Sequence, residues 1–402
     1  MYAARSPRPR RGGVRTLTLC AAAAAALAAG PLGTARAAGT DDTVKVTYRG
    51  HEFTFPASWP IVDLEKHPDV CVRFDRHAVY VGTPGDQQRC PAGARGRTEA
   101  FLVQPSAVKG RTATENRTAR MFRVTADRIA VTAAYEADRT RIQDILRGAG
   151  LSVAAAGTGP TAGAPAAAPL PADATSFRGE GFDACTAPGQ TAMDAWRDDS
   201  DYGAVGVYIG GVNRACAQSR LTAGWLRTQY ANGWRFFPLY VGRQPTSDGG
   251  SCKGGCAAIT DPVPQGTEAA EDAVEQASTL GFPKGTVIYD DLENYTPGST
   301  VTSRVLSYLD AYTKRLHALG YRSGVYGNTS SLVTDLVTNK SRVTLPDVLH
   351  FARWNGKSTT TDSTIPANLW ADHQRIHQYL GDTTETHGGV TISIDRDRLD
   401  VD

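Results

Sequence analysis

The chain has 402 residues, 41% of them hydrophobic and 21% charged, with 41 Gly and 22 Pro. These are globular values, which exclude wholesale disorder, coiled coil and collagen, and the length asks for two domains or three. The formal charge of +2 is set by the first 37 residues, which hold Arg5, Arg8, Arg10, Arg11, Arg15 and Arg36 and no acid. Without them the balance is acidic, so nucleic acid and anionic lipid are not expected partners.

The first segment reads as an export signal. Five Arg form a basic start, and an Ala/Leu-rich run from Leu17 to Ala29 follows. That run is shorter than the ~20 apolar residues a membrane span needs. Ala35-Arg36-Ala37 supplies a small-x-small cleavage site. Residues 1–37 are therefore a signal peptide, and the paired Arg10-Arg11 leaves twin-arginine export open beside Sec. Cys20 lies inside the apolar run and leaves with it. No later segment is apolar for long enough to span a membrane, so a secreted or cell-wall-associated protein is expected.

Six Cys remain: Cys71, Cys90, Cys185, Cys216, Cys252 and Cys256. In an exported chain an even count reads as disulfides. Local pairing favours Cys71–Cys90, Cys185–Cys216 and Cys252–Cys256. Zinc is the rival for the last pair, but no His lies near it in sequence. No metal and no other cofactor is expected.

Residues 41–152 alternate in strand fashion: Val44, Val46 and Tyr48, then Phe53 and Phe55, Val70 and Val72, and Ala78 to Val81. One helix is expected around Ala137–Arg147. This predicts a small β-rich α+β domain. It carries no chemical motif, and His51, His67 and His77 are isolated. Residues 153–176 are rich in Pro, Ala and Gly and read as a linker.

Residues 177–402 have a βα rhythm. Strands are predicted at Gly179–Ala184, Ala204–Ile209, Arg235–Val241, Thr286–Asp291, Arg322–Tyr326, Val348–Arg353, Arg375–Tyr379 and Thr391–Asp395. Several are unbroken apolar runs, as strands buried on both faces should be. Thr267–Leu280 and Thr302–Leu319 carry helical apolar stripes, and each ends in Leu-Gly-aromatic, a left-handed cap before a strand. Eight strands in this length predict an α/β fold, a (β/α)8 TIM-like barrel lacking its last helix. A doubly wound sheet is the rival, but no nucleotide-binding glycine motif follows any strand.

Acids fall at the predicted strand ends: Asp183, then Asp290, Asp291 and Glu293, then Asp395. Residues i and i+2 of a strand share a face, so Asp291 and Glu293 should look into the barrel mouth and Asp290 away from it. Crowded carboxylates resist joint ionisation, and a protonated acid beside an ionised one is what glycoside cleavage requires. Tyr208, Tyr240, Tyr326, Trp354 and Tyr379 also lie near strand ends, where flat rings could stack on sugars. Gln378 adds an amide able to read a hydroxyl or acetamido group.

Six segments together carry a family resemblance. They are GFDACTAP at 181–188, AVGVYIGGVNRAC at 204–216, GWRFFPLYVG at 233–242, VIYDDLENY at 287–295, LHALGYRSGVYGN at 316–328 and HQYLGD at 377–382. Residues 177–402 resemble the actinobacterial glycoside-hydrolase-like domain (domain of unknown function family 1906). That family is similar to the glycoside hydrolase family 25 lysozymes. The resemblance implies that Glu293 is the proton donor and that Asp291 positions substrate or stabilises the cationic transition state. Asp183 and Asp395 would complete an acidic cup. The lysozymes open with Gly-x-Asp-Val-Ser, whereas here Ala184-Cys185 follows Asp183.

The expected function is a secreted glycoside-hydrolase-like protein acting on a cell-envelope polysaccharide, such as peptidoglycan, by carboxylate acid catalysis. The alternative is an inactive barrel that binds cell-wall glycan. Retention of all four acids favours the first, and the altered context of Asp183 the second. No serine-hydrolase or zinc-protease motif occurs. The protein is expected to be a monomer, its barrel able to fold alone.

Overall fold

The computed structural model describes residues 42–151, 153, 168–250, 252 and 255–402. The expected signal peptide and most of the expected linker lie outside the described residues.

The N-terminal part begins with a hairpin of β1 (Thr43–Tyr48) and β2 (His51–Pro56). Six further strands follow: β3 (Ile61–Asp63), β4 (Ala78–Val81), β5 (Ala100–Pro105), β6 (Thr112–Asn116), β7 (Met121–Ala126) and β8 (Ile129–Ala134). They form one mixed sheet in the order β3-β4-β5-β8-β7-β6. Helix α1 (Arg139–Gly148) buries Ile142, Ile145 and Leu146 in the same core as Phe53, Phe55, Phe101 and Phe122. The Val70 and Val72 alternation makes no strand; it contributes an isolated bridge, Val70 with Arg89.

The C-terminal part is a closed barrel of eight strands: β9 (Phe177–Asp183), β10 (Tyr202–Gly210), β11 (Arg235–Tyr240), β12 (Val287–Asp291), β13 (Arg322–Asn328), β14 (Val348–Ala352), β15 (Gln374–His387) and β16 (Val390–Val401). Among the described residues five α-helices accompany it: α2 (Gln190–Asp199), α3 (Ala223–Ala231), α4 (Pro262–Leu280), α5 (Ser299–Leu319) and the short α6 (Thr334–Thr338). Gly281 and Gly320 close α4 and α5 in the left-handed conformation, at φ +92° and +84°. This is the geometry that Leu-Gly-aromatic predicts.

The (β/α)8 TIM-like expectation is corrected by the last two strands. No helix joins β14 to β15, and β16 runs antiparallel to both β15 and β9, so the barrel is mixed. The cause is local. Gly388 and Gly389, at φ +55° and +78°, form a two-residue turn between His387 and Val390. Two positive φ values suit a tight hairpin, which needs no crossover helix.

Strand alternation sorts the barrel residues into two sets. Ala204, Tyr208, Phe237, Leu239, Val287, Tyr289, Val348, Ile376 and Leu399 pack together inside. Val205, Phe236, Tyr240, Ile288 and Leu349 face the larger core beneath the helices, which Trp196 of α2 and Leu309 of α5 join.

The two parts are joined by more than chain. Phe74 N–H donates to Ala215 O (2.7 Å), Ala217 N–H to Val72 O (3.0 Å) and Gly96 N–H to Asn213 O (3.0 Å). The Arg97 guanidinium donates to the carbonyls of Gly211, Val212 and Arg214. The expected disulfides all form, Cys71–Cys90, Cys185–Cys216 and Cys252–Cys256. The first two meet across the interface, with Cys71 Sγ 3.9 Å from Cys216 Sγ. Beyond the expected linker start, Leu170 is buried and its N–H donates to Gly281 O (2.8 Å). Among the described residues no helix is long and apolar enough to cross a membrane.

Candidate active site

The polar end of the barrel interior is built by strand parity. Asp183 ends β9, and its register partner on β16 is Asp395. Because β16 is antiparallel, Asp395 reaches the mouth from inside a strand and not from a strand's C-terminal end. Asp291 ends β12, and Glu293 follows two residues later on the same side. Asp290 points outward toward Tyr308 of α5 and is fully buried there.

Hydrogen bonds draw these acids into one group. Tyr208 O–H donates to Asp183 Oδ1 (2.6 Å), and Gln378 Nε2 donates to Asp183 Oδ2 (3.0 Å) and Asp395 Oδ2 (3.4 Å). Gln378 Oε1 in turn accepts from Tyr326 O–H (2.8 Å) and from Trp354 Nε1 (3.0 Å). Trp354 stands at the rim, 55% exposed. Asp382 N–H donates to Asp395 Oδ1 (2.7 Å).

Two expected ligand-binding aromatics go elsewhere. Tyr240 lies under the helices, where its hydroxyl donates to Asp272 Oδ2 of α4 (2.7 Å). Tyr379 has the opposite parity to Gln378, and its hydroxyl donates to Glu180 Oε2 (2.8 Å). Tyr208, Tyr326, Trp354 and Gln378 join the acids.

Four further participants were not read from sequence. Arg95, on the loop between β4 and β5, enters the mouth from the N-terminal part. Its Nη2 donates to Asp291 Oδ2 (2.7 Å) and Tyr208 Oη (3.2 Å), and its Nε lies 3.2 Å from Glu293 Oε1. Its guanidinium carbon stands 5.1 Å from the Tyr208 ring centroid, within cation–π range. Gln244 bridges the acid-bearing segment, donating from Nε2 to Asp291 O (2.7 Å) and accepting Glu293 N–H on Oε1 (2.8 Å). One level deeper, His350 Nε2 lies 2.8 Å from Asp397 Oδ1. Asp397 shares the parity of Asp395, a signal the alternation already offers. Arg95 and Gln244 have no such signal.

Burial decides the charge states. It lifts Asp291 to a pKa of about 7, against the pull of Arg95 and with the nearby charges of Glu293 and Asp183 adding to the rise. Burial also raises Asp183, opposed by the Tyr208 hydrogen bond and by Arg95. Asp395 and Asp397 are held well above the carboxylate range, first by burial and then by the charge of Asp183. Burial lowers His350 to about 3, so its contact with Asp397 joins two neutral groups at neutral pH. The arrangement offers protonated carboxyls, one acid poised near neutrality and one enclosed cation.

An acid-lined barrel of this kind, with its carboxylates gathered at one mouth, defines a glycoside-hydrolase-like architecture. Residues 194–399, just over half of the chain, match the family described as "Rv2525c-like, glycoside hydrolase-like domain", and the chain belongs to that family. No curated protein matches it as a relative. Among solved structures it is similar to an uncharacterized protein of B. stearothermophilus, at 18% identity and TM-score 0.37, covering 55% of this chain and 95% of that one. The Tat-secreted protein Rv2525c of Mycobacterium tuberculosis is similar at 18% identity and TM-score 0.39, with the same coverage. The modular autolysin LytC of Streptococcus pneumoniae is similar at 11% identity and TM-score 0.36, covering 72% of this chain and 58% of its own; a second LytC structure holds a synthetic peptidoglycan ligand.

Proposed function

We propose that this is an exported glycoside hydrolase acting on an envelope polysaccharide, with peptidoglycan the leading substrate. The observation that carries the reading is the grouping of Asp291, Glu293, Asp183 and Asp395 at one barrel mouth, Asp183 and Asp395 tied by Gln378, and Asp291 and Glu293 by Arg95, which also reaches Tyr208 on Asp183. Glu293, the least enclosed of the four, with its side chain 13% exposed, protonates the leaving oxygen. Asp291 faces the developing cation as a carboxylate, and Asp183 and Asp395 hold the sugar hydroxyls. The exposed Trp354 ring gives a sugar face to stack on. Oxidised cysteine pairs accord with a life outside the cytoplasm.

Arg95 favours a second reading. A guanidinium seated on both Asp291 and Glu293 occupies the place a cationic sugar would take, and it leaves an idle barrel that binds wall glycan at its rim. Purified wall material from several bacteria separates the two, with turbidity and product analysis of wild type, Glu293→Gln and Arg95→Met. Cleavage by wild type or Arg95→Met, abolished by Glu293→Gln, supports the enzyme. Binding without cleavage in all three supports the idle barrel.

A further inference from the structure

A second cluster of arginines lies outside the mouth, in the cleft between the six-stranded sheet and the barrel. Arg97 comes from the β4–β5 loop, Arg123 from β7 and Arg214 from the loop after β10. All three line one small cavity, together with Thr114, Asn116 and Gln276. Arg123 and Arg214 also line an adjoining cleft of about 480 Å³, whose walls include Phe74, Leu102 and Ile209.

The cations in this cleft have too little to bind. Arg97 and Arg214 are only 3% and 7% exposed. Three nitrogens of Arg97 and Arg214 are spent on backbone carbonyls, but Arg97 Nη1 and Arg214 Nε are buried with no hydrogen-bond partner. Arg123 makes no hydrogen bond or ion pair to any described residue. The nearest buried acid, Asp272, is already committed. It accepts from Asn116 Nδ2 (2.5 Å), Gln276 Nε2 (3.0 Å) and Tyr240 O–H (2.7 Å), and none of the three arginines forms an ion pair with it. Glu275 lies near Arg123 but is exposed on α4.

A buried donor without a partner costs about 1–3 kcal/mol, and like charges held together add repulsion. The strain registers in the arginines themselves. Burial, followed by the charge of Arg123, lowers Arg97 to about 10; burial, then Arg123 and Arg97, lowers Arg214 to about 9.

We propose that this cleft is a binding site for a phosphate monoester, its oxyanion held by Arg97, Arg123 and Arg214 and its organic part in the adjoining space. Three guanidinium groups from three segments match a tetrahedral group with three free oxygens better than a planar carboxylate with two. The cleft volume is that of a small-molecule site. The site does not depend on the barrel being an enzyme, since it uses none of the mouth acids.

Titration calorimetry on the oxidised full chain, at constant ionic strength, tests this with inorganic phosphate, glycerol 3-phosphate and acetate. Both phosphates should bind and acetate should not. Arg123→Gln should weaken both at least about tenfold, the loss of one charge-assisted contact. Arg123 is exposed to the cleft, so this variant should keep the wild-type melt. Should it not fold, Gln276→Glu places a carboxylate in the same cleft and should abolish binding. No heat with either phosphate, equal affinity for acetate, or phosphate binding that a folded Arg123→Gln or Gln276→Glu leaves unchanged would each overturn the site.

Discussion

Replacing Arg95 with Met tests the electrostatics of the barrel mouth. Met fills much of the same space but leaves Asp291 and Glu293 without their shared cation. Opposite charges ~4 Å apart attract by about 4 kcal/mol at an effective dielectric of 20, and breaking a buried pair costs about 3–5 kcal/mol. Asp291 has an escape, because it can take up a proton. Burial lifts its pKa to about 7, and Arg95 is the main force opposing a further rise. An unfolded Asp titrates near ~3.9. The folded wild type therefore binds the extra proton between about pH 4 and 7; that contribution is greatest in acid, falls as pH rises through the window, and is flat above it. In Arg95→Met the folded pKa moves above 7, so the fall continues where wild type is already flat. The stability gap should be smallest near pH 6 and should widen by up to about 1.4 kcal/mol per pH unit above pH 7, a further loss of about 2 kcal/mol by pH 8.5. Urea unfolding of the oxidised full chain at several pH values measures it. Parallel stability curves for the two proteins across this range would show that Arg95 does not govern the Asp291 proton.

Glu293→Gln should slow hydrolysis by about 10²–10⁴-fold on any glycan that an active form cleaves, with fragment binding retained, as read by product release and equilibrium binding. Asp290→Asn should change activity and melting little at neutral pH. Burial and the charge of Asp291 hold Asp290 well above the carboxylate range, so the amide replaces a group that is already neutral. Residues 168–402 expressed alone should melt below the full chain in calorimetry, because the loop from Gly211 to Ala217 loses its bonds to Val72, Phe74, Gly96 and Arg97.

What could be read from sequence follows from which geometry is rigid. The central barrel strands were legible because strands buried on both faces must be apolar runs, whereas β15 (Gln374–His387) and β16 (Val390–Val401), partly exposed and polar, run well beyond the short segments predicted for them. The period of two also placed Asp291 and Glu293 together and Asp290 behind them. The same rule, applied evenly, would have separated Gln378 from Tyr379, sent Tyr240 outward beside the inward Leu239, and added Asp397 to Asp395. The final hairpin was visible too, in the His-Gly-Gly-Val turn at 387–390, since paired glycines between strands mark a hairpin. Arg95 was not legible by any such rule. Its bond to Asp291 spans 196 residues and depends on how the N-terminal part docks, which no local periodicity encodes. The barrel can present four acids by strand parity alone, but their charge is set first by burial and then, for Asp291, by one arginine that a loop of the N-terminal part delivers. Residues that gather the site and residues that set its state thus obey different constraints, and only the first kind leaves a periodic trace.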